Sequence, residues 1–279
     1  LSLTPEAGPG SRAPGPAAGR NRKPRIRIGT AGWSYDHWVG PFYPAGLPAR
    51  ARLAYYARHL DSAEVNSAFY RLPSESTLEA WRETVPGDFR FAVKASRYIT
   101  HMKKLKDPRG SLRTFLERIG LLRDRLGPVL FQLPPRWRFD AGRLEAFLAD
   151  LGTGQRCAFE LRDPSWINER TLALLARVNA AFCIYELDGF RSPAHVTADF
   201  VYVRLHGPDG AYRGSYDPET LSGWAAAVSA WCADGLDVYC YFDNDEAGHA
   251  VGNAMTLRSM LAGGPVQTPG EDPVAPTSL

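Results

Sequence analysis

The sequence predicts an α/β chain with one domain, a (β/α)₈ or TIM barrel, occupying residues 25–262 between two tails. Three observations predict it. The chain has 279 residues, and without its tails it has the size of one α/β barrel, about 250 residues. Short β-rich runs alternate with amphipathic helical stretches, an order that makes the strands parallel. The runs number eight, which suits a closed barrel better than the alternative, a doubly wound open sheet.

In chain order, the runs are Arg25–Thr30, Ser62–Phe69, Phe89–Ala95, Val129–Leu133, Cys157–Arg162, Ala181–Glu186, Phe200–His206 and Leu236–Asp243. Between them LPARARLAYYARHL, SESTLEAWRETV, SLRTFLERIGLLRDRL, GRLEAFLADL, NERTLALLARV and PETLSGWAAAVSAWCADG place apolar residues every three to four positions, the period of a helix packed on one face. Asn168 and Asp217 are N-cap types, the latter followed by Pro218 at the first helical position. Gly87, Gly152 and Gly235 fall where helices end. The segment GFRSPAHVTAD, between the sixth and seventh strands, is too short for a full helix.

Residues 1–24 and 263–279 are rich in Pro and Gly and lack apolar periodicity, so both are expected to be disordered. The first is basic and carries no apolar signal-peptide core. No apolar run is long enough to cross a membrane. The four cysteines include no C-x-x-C pair, and three lie in strand-like runs, which suits reduced core thiols and a cytoplasmic location. The formal charge of +3 divides into +3 on the first 24 residues, −2 on the last 17 and +2 on the body. Such a body lacks the strong basic excess of a dedicated nucleic-acid binder. Composition leaves the oligomeric state open.

Alternate side chains of a barrel strand point inward, so polar residues of inward parity near C-terminal strand ends mark a candidate site. Glu64 and Asn66 share that parity on the second strand. Lys94 holds it on the third, Gln132 on the fourth, Glu160 and Arg162 on the fifth, Arg204 and His206 on the seventh and Asp243 on the eighth. Charges inside a barrel are costly unless paired, so their convergence indicates a functional pocket or, failing that, an internal ion network.

The acids Glu64, Glu160 and Asp243 are matched by Lys94, Arg162 and Arg204. A balanced ring favours an anionic ligand over a divalent metal, although His101 and His206 leave a transition metal as a minor alternative. GTAGW at 29–33 lacks the G-x-G-x-x-G spacing of a dinucleotide site, so no cofactor is expected. The loop after the third strand adds His101, Lys103, Lys104 and Lys106, either to the mouth or to a solvated surface. Trp33, Tyr35, Trp38, Phe42 and Tyr43 crowd the first loop, either to stack on bases or sugars or to form a small lid core. Trp137 and Trp166 follow the fourth and fifth strands and are candidates to line the same mouth.

Seven segments, GTAGW (29–33), EVNSAFYRLPS (64–74), FRFAVKASRYITH (89–101), GPVLFQLPP (127–135), FELRDPSW (159–166), VRLHG (203–207) and YFDND (241–245), together resemble the domain of unknown function 72 family, also called YecE-like. The resemblance implies the barrel fold and a pocket built from these motifs, and it brings no activity with it. That barrel is similar to the superfamily of xylose isomerase and endonuclease IV. The histidine-rich three-metal set of endonuclease IV has no counterpart here, since His37, His59, His195 and His249 fall outside strand ends.

The leading expectation is an enzyme, a possible hydrolase, acting by acid/base chemistry on a phosphate ester or phosphodiester. In it Glu160 and His206 form the acid/base pair and Glu64 and Asp243 orient them. Lys94, Arg162 and Arg204 bind the anion, with Asn66, Tyr70, His101, Gln132 and Trp33 as further substrate contacts. The alternatives are a non-catalytic nucleic-acid or phosphometabolite binder and a metal-dependent isomerase-like or endonuclease-like enzyme. Anionic small molecules or nucleic acid are thus the expected partners, and membranes are not.

Overall fold

A computed structural model describes residues 23–263; the two expected tails lie outside it except for residues 23, 24 and 263. Among the described residues nine strands form one sheet: β1 Ile26–Ala31, β2 Ser62–Val65, β3 Arg90–Lys94, β4 Leu126–Leu133, β5 Cys157–Leu161, β6 Ala181–Leu187, β7 Phe190–Arg191, β8 Phe200–Leu205 and β9 Asp237–Phe242. All but β7 are parallel to their neighbours, and the ring closes where β1 pairs with β9 and β5 with β6. This is the (β/α)₈ barrel, with β7 an added antiparallel partner of β6.

The helices are α1 Arg52–His59, α2 Ser67–Tyr70, α3 Glu75–Thr84, α4 Arg109–Ile119, α5 Ala141–Leu151, α6 Glu169–Arg177, α7 Pro218–Ala233 and α8 His249–Leu261. Asn168 and Asp217 cap α6 and α7 through side-chain oxygens that accept from Thr171 N and Thr220 N, satisfying amides the helix leaves open. Gly152 and Gly235 follow α5 and α7 at φ 71° and 84°. Gly87 has no such role, because α3 already ends at Val85, ahead of Pro86.

Several boundaries differ from expectation for identifiable reasons. The second strand stops at Val65 rather than Phe69, level with its partner Val93, and Asn66 turns the chain into the short helix α2. SLRTFLERIGLLRDRL is not one helix; after Ile119 it tightens into a 3₁₀ segment, and Arg123 sits at φ 49°. The closing helix α8 went unnamed in the sequence because it is buried on several sides, which erases the one-faced pattern. Between β6 and β8 the missing helix is replaced by the β6–β7 hairpin, whose Arg191 lies 4.3 Å from the centre of the Trp224 ring.

Two cores result. Between sheet and helices lies the larger, from Ile28 to Leu257. Inside the barrel Ala92, Leu130, Ala158, Cys183, Phe200, Tyr202, Tyr239 and Tyr241 fill the lower and middle layers. β1 contributes Gly29 opposite Ser62 and Tyr241. A Cβ there would overlap the Ser62 carbonyl oxygen. The N-terminal end is closed by ion pairs of Arg156 with Asp237 (2.7 Å) and Arg27 with Asp61 (2.9 Å). All four cysteines are free, and Cys157, Cys183 and Cys240 are buried. Among the described residues no helix is long and apolar enough to cross a membrane.

Candidate functional site at the C-terminal strand ends

The mostly apolar layers stop one residue pair below the rim, and on five strands the next inward position is polar or charged. Glu64, Lys94, Gln132, Glu160 and Arg204 are those residues of β2, β3, β4, β5 and β8, with Gln132 and Glu160 in register. Arg162, His206 and Asp243 follow just beyond their strands. The expected set therefore meets at one end of the barrel.

Arg204 organises it. Its guanidinium, wholly buried, donates to Glu64 through Nη2 (2.7 Å) and Nε (3.1 Å), to Glu160 through Nη1 (2.7 Å) and to Asp243 through Nη2 (2.8 Å). Tyr202, one inward position below, donates its hydroxyl to Glu64 Oε2 at 2.6 Å. A buried charge is tolerated only when paired and hydrogen-bonded on all sides, and this fork is saturated. Burial pushes the Glu160 carboxyl up, but Arg162, Arg204 and His206 outweigh it and hold the group well below the usual carboxylate range. Burial likewise pushes the Asp243 carboxyl up, and Arg204, then His206 and Lys94, bring it below its ordinary value.

His206 is wedged between the two arginines and the carboxylates. Its Nε2 lies 3.2 Å from Arg204 Nη1 and 3.3 Å from Arg162 Nη2. Arginine only donates, so in these two contacts Nε2 can serve only as the acceptor. Nδ1 sits 3.1 Å from Asp243 Oδ2, off the line of a well-aligned hydrogen bond. Arg162 also holds Glu160 through Nε.

The third cation differs. Among the described residues Lys94 has no hydrogen-bond or ion-pair partner; its Nζ stands 4.5 Å from the centre of the Phe69 ring. Burial, then Arg204, lower its pKa, and Glu160, Glu64 and Asp243 offset this only in part. His101, in the π-helical turn Tyr98–Met102, packs edge-on against the same Phe69 ring at 5.0 Å. Its Nδ1 pairs with Thr100 Oγ1 at 2.9 Å. Burial, then the charges of Lys94, Arg162 and Arg97, depress its pKa. Asn66 turns out of β2 nearby in sequence, with a buried Oδ1 that lacks a hydrogen-bond partner.

The opposite side of the rim is anionic. Burial, then Asp243, raise the pKa of Asp245. Asp245 is clasped through its carbonyl by His37 Nε2 (2.6 Å) and Trp38 Nε1 (3.2 Å) from the first loop. Burial, then Asp245, Asp243 and Glu64, raise the pKa of Tyr35, whose hydroxyl donates to the Ala31 carbonyl. The mouth is thus polarised, cationic toward β3 and β5 and anionic toward β9 and β1.

Other expected contacts sort themselves. Trp33 is buried against Trp81 and Phe91, at 5.0 and 5.6 Å, and buried Trp38, Phe42 and Tyr43 pack on one another and on Tyr55, all as part of the larger core rather than a separate lid. Trp137 and Trp166 pack on each other at 4.9 Å, Trp166 fully buried, so Trp166 is not open at the mouth. Gln132 is buried, while Tyr70 is 71% exposed. Lys104 and Lys106 are exposed to solvent. Tyr202 was missed although its parity with Arg204 announced it; Arg97 and Asp245 lie on loops where parity is silent. No three His, Cys, Asp or Glu side chains among the described residues form a metal-binding group.

Fold and site define a (β/α)₈ barrel protein with a charged network at its C-terminal strand ends. The chain belongs to the family described as "Protein of unknown function DUF72", which matches residues 27–277. It is similar to UPF0759 protein YunF of Bacillus subtilis, 25% identical over 271 residues, 85% of this chain and 94% of that protein. It is 35% identical to UPF0759 protein YecE of Escherichia coli K12 over 109 residues, 39% of this chain and 38% of the relative. A crystal structure of a DUF72 family protein from Thermotoga maritima aligns with a TM-score of 0.77 at 27% identity, covering 85% of this chain and 99% of that one.

Proposed function

We propose that the chain is a barrel enzyme that takes a small anionic substrate, such as a phosphate ester, at the cationic side of its mouth and moves protons there. The observation that carries this reading is that unpaired Lys94 and His101 share the Phe69 ring, at 4.5 and 5.0 Å, while the charges that, after burial, lower the His101 pKa are the cations Lys94, Arg162 and Arg97. Such a site attracts an anion and keeps the imidazole neutral, ready to accept a proton. Arg204, saturated by carboxylates, holds the architecture rather than the ligand. Glu160 and His206, both committed to arginines, act in this reading as the frame that aims Arg162, and His101 is the proton carrier.

Titration calorimetry with inorganic phosphate at constant ionic strength tests this. Heat that is lost in Lys94→Met and in Arg162→Met supports the site, and absence of heat up to tens of millimolar (roughly the weakest useful affinity) removes it. Turnover of a phosphoester panel, with His101→Asn as control, separates enzyme from binder. A second reading, a non-catalytic nucleic-acid binder, is favoured by the rim itself. Exposed Tyr70 and Tyr98 lie under Arg97 and Lys103, at 5.8 and 5.6 Å, as base-stacking platforms do.

A further inference from the structure

We propose that Lys94 is an amine nucleophile that condenses with a carbonyl group of the substrate, which makes the substrate class a small 2-oxo acid or a phosphorylated aldehyde or ketone. The inference rests on the anion-site reading above and specifies what the anion carries.

Three cations face the inner mouth, and they are not equivalent. Arg204 spends all its donors on Glu64, Glu160, Asp243 and His206, and Arg162 commits Nε to Glu160 and Nη2 to His206. Lys94, at the end of β3, has no such bond among the described residues and rests on the Phe69 ring. An arginine would serve charge balance better, because its fork stays protonated and bonds carboxylates two at a time. A primary amine held apart from carboxylates, desolvated and beside a second cation is the arrangement that leaves a lysine lone pair available. The charged groups bearing on it come from every side of the barrel: Arg204 of β8 favours the free amine, and Glu160 of β5, Glu64 of β2 and Asp243 beyond β9 oppose it. Burial leads, and the net effect is a lowered pKa.

The proton carrier is in place. His101 shares the Phe69 ring with Lys94 and ties Nδ1 to Thr100, which leaves Nε2 without a bond among the described residues. In the condensation the Lys94 lone pair forms the C–N bond while the carbonyl π pair moves onto oxygen. His101 takes the proton released by nitrogen and returns it to that oxygen, giving a carbinolamine. The proton that the Lys94 ammonium gave up on becoming the free amine is delivered through His101 to the carbinolamine hydroxyl, which leaves as water while the nitrogen lone pair forms the protonated C=N. One water is released and no oxidant or reductant is required. The protonated imine carries the same single charge as the ammonium, so the network of three carboxylates stays balanced. Arg162 Nη1, without a bond among the described residues, and Arg97 face the substrate's anionic group.

The full chain is incubated at neutral pH with glycolaldehyde phosphate and sodium cyanoborohydride, with uncharged glycolaldehyde in parallel, and the modified lysines are located by peptide mass spectrometry. The expected result is a reduced adduct on Lys94 that forms faster with the phosphorylated aldehyde, is suppressed by inorganic phosphate and is lost in Lys94→Arg. A thermal melt of Lys94→Arg shows that the barrel is intact. An adduct on Lys94 insensitive to phosphate keeps the nucleophile and removes the anion site. Adducts confined to Lys103, Lys104 and Lys106 overturn the nucleophile, and if phosphate heat persists the anion site stands without it.

Discussion

Arg204 on β8 and Glu64 on β2 meet across the barrel interior, with β9 and β1 between their strands, through Nη2 at 2.7 Å and Nε at 3.1 Å. No water-filled alternative exists for either group, since both are fully buried. Arg204→Met therefore leaves Glu64, Glu160 and Asp243 facing one another without their shared cation. A loss of about 3–5 kcal/mol is expected in urea unfolding. Arg204→Lys recovers little of it, because a point charge cannot bond three carboxylates in the plane of a fork.

Acid weakens the barrel through the same network. Glu160 and Asp243 titrate below the usual carboxylate range in the folded chain. A carboxyl with a depressed folded pKa contributes stability above its unfolded value and surrenders it as pH falls through the folded one. The melting temperature should drop on acidification from about pH 5 downward. Glu160→Gln should lower the neutral plateau and flatten the acid limb; an unchanged limb would locate acid sensitivity elsewhere.

Anion binding should carry the titration of His101. Its pKa is depressed by burial and by Lys94, Arg162 and Arg97, so the ring is neutral at pH 7 and gains charge only below the ordinary imidazole value of about 6.5. Sulfate, which does not titrate there, should bind more tightly as pH falls through that range at constant ionic strength. His101→Asn should remove the rise while leaving the neutral-pH affinity near wild type.

Gly29→Ala tests the closest approach in the barrel wall. The added Cβ meets the Ser62 carbonyl of the paired strand, a backbone atom that cannot swing aside. Destabilisation of about 1–3 kcal/mol or more is expected. Ser62→Ala should not rescue it, because the offending oxygen belongs to the main chain.

The barrel was legible because parity survives into the fold. Wherever a strand runs to the rim, as at Glu64, Lys94, Glu160 and Arg204, two-residue alternation alone places the side chain inside. It failed at Asn66, where α2 begins one residue past β2 and alternation no longer applies. The charge balance was legible too, but composition cannot tell which cation is spent: only geometry separates saturated Arg204 from unpartnered Lys94. Arg97, Asp245 and the clasp of Trp38 on the Asp245 carbonyl depend on loop paths that carry no periodicity.

The order in which the network's members are synthesised has a consequence for the nascent chain. Glu64 and Glu160 leave the ribosome well before Arg204, and Asp243 comes last. Until then a partial barrel carries carboxylates on what will be its dry inner face, and these keep that face wet. Arg162 can answer Glu160 early, but Glu64 has no guanidinium partner until Arg204 is made, so burial of that face becomes inexpensive only once Arg204 has arrived.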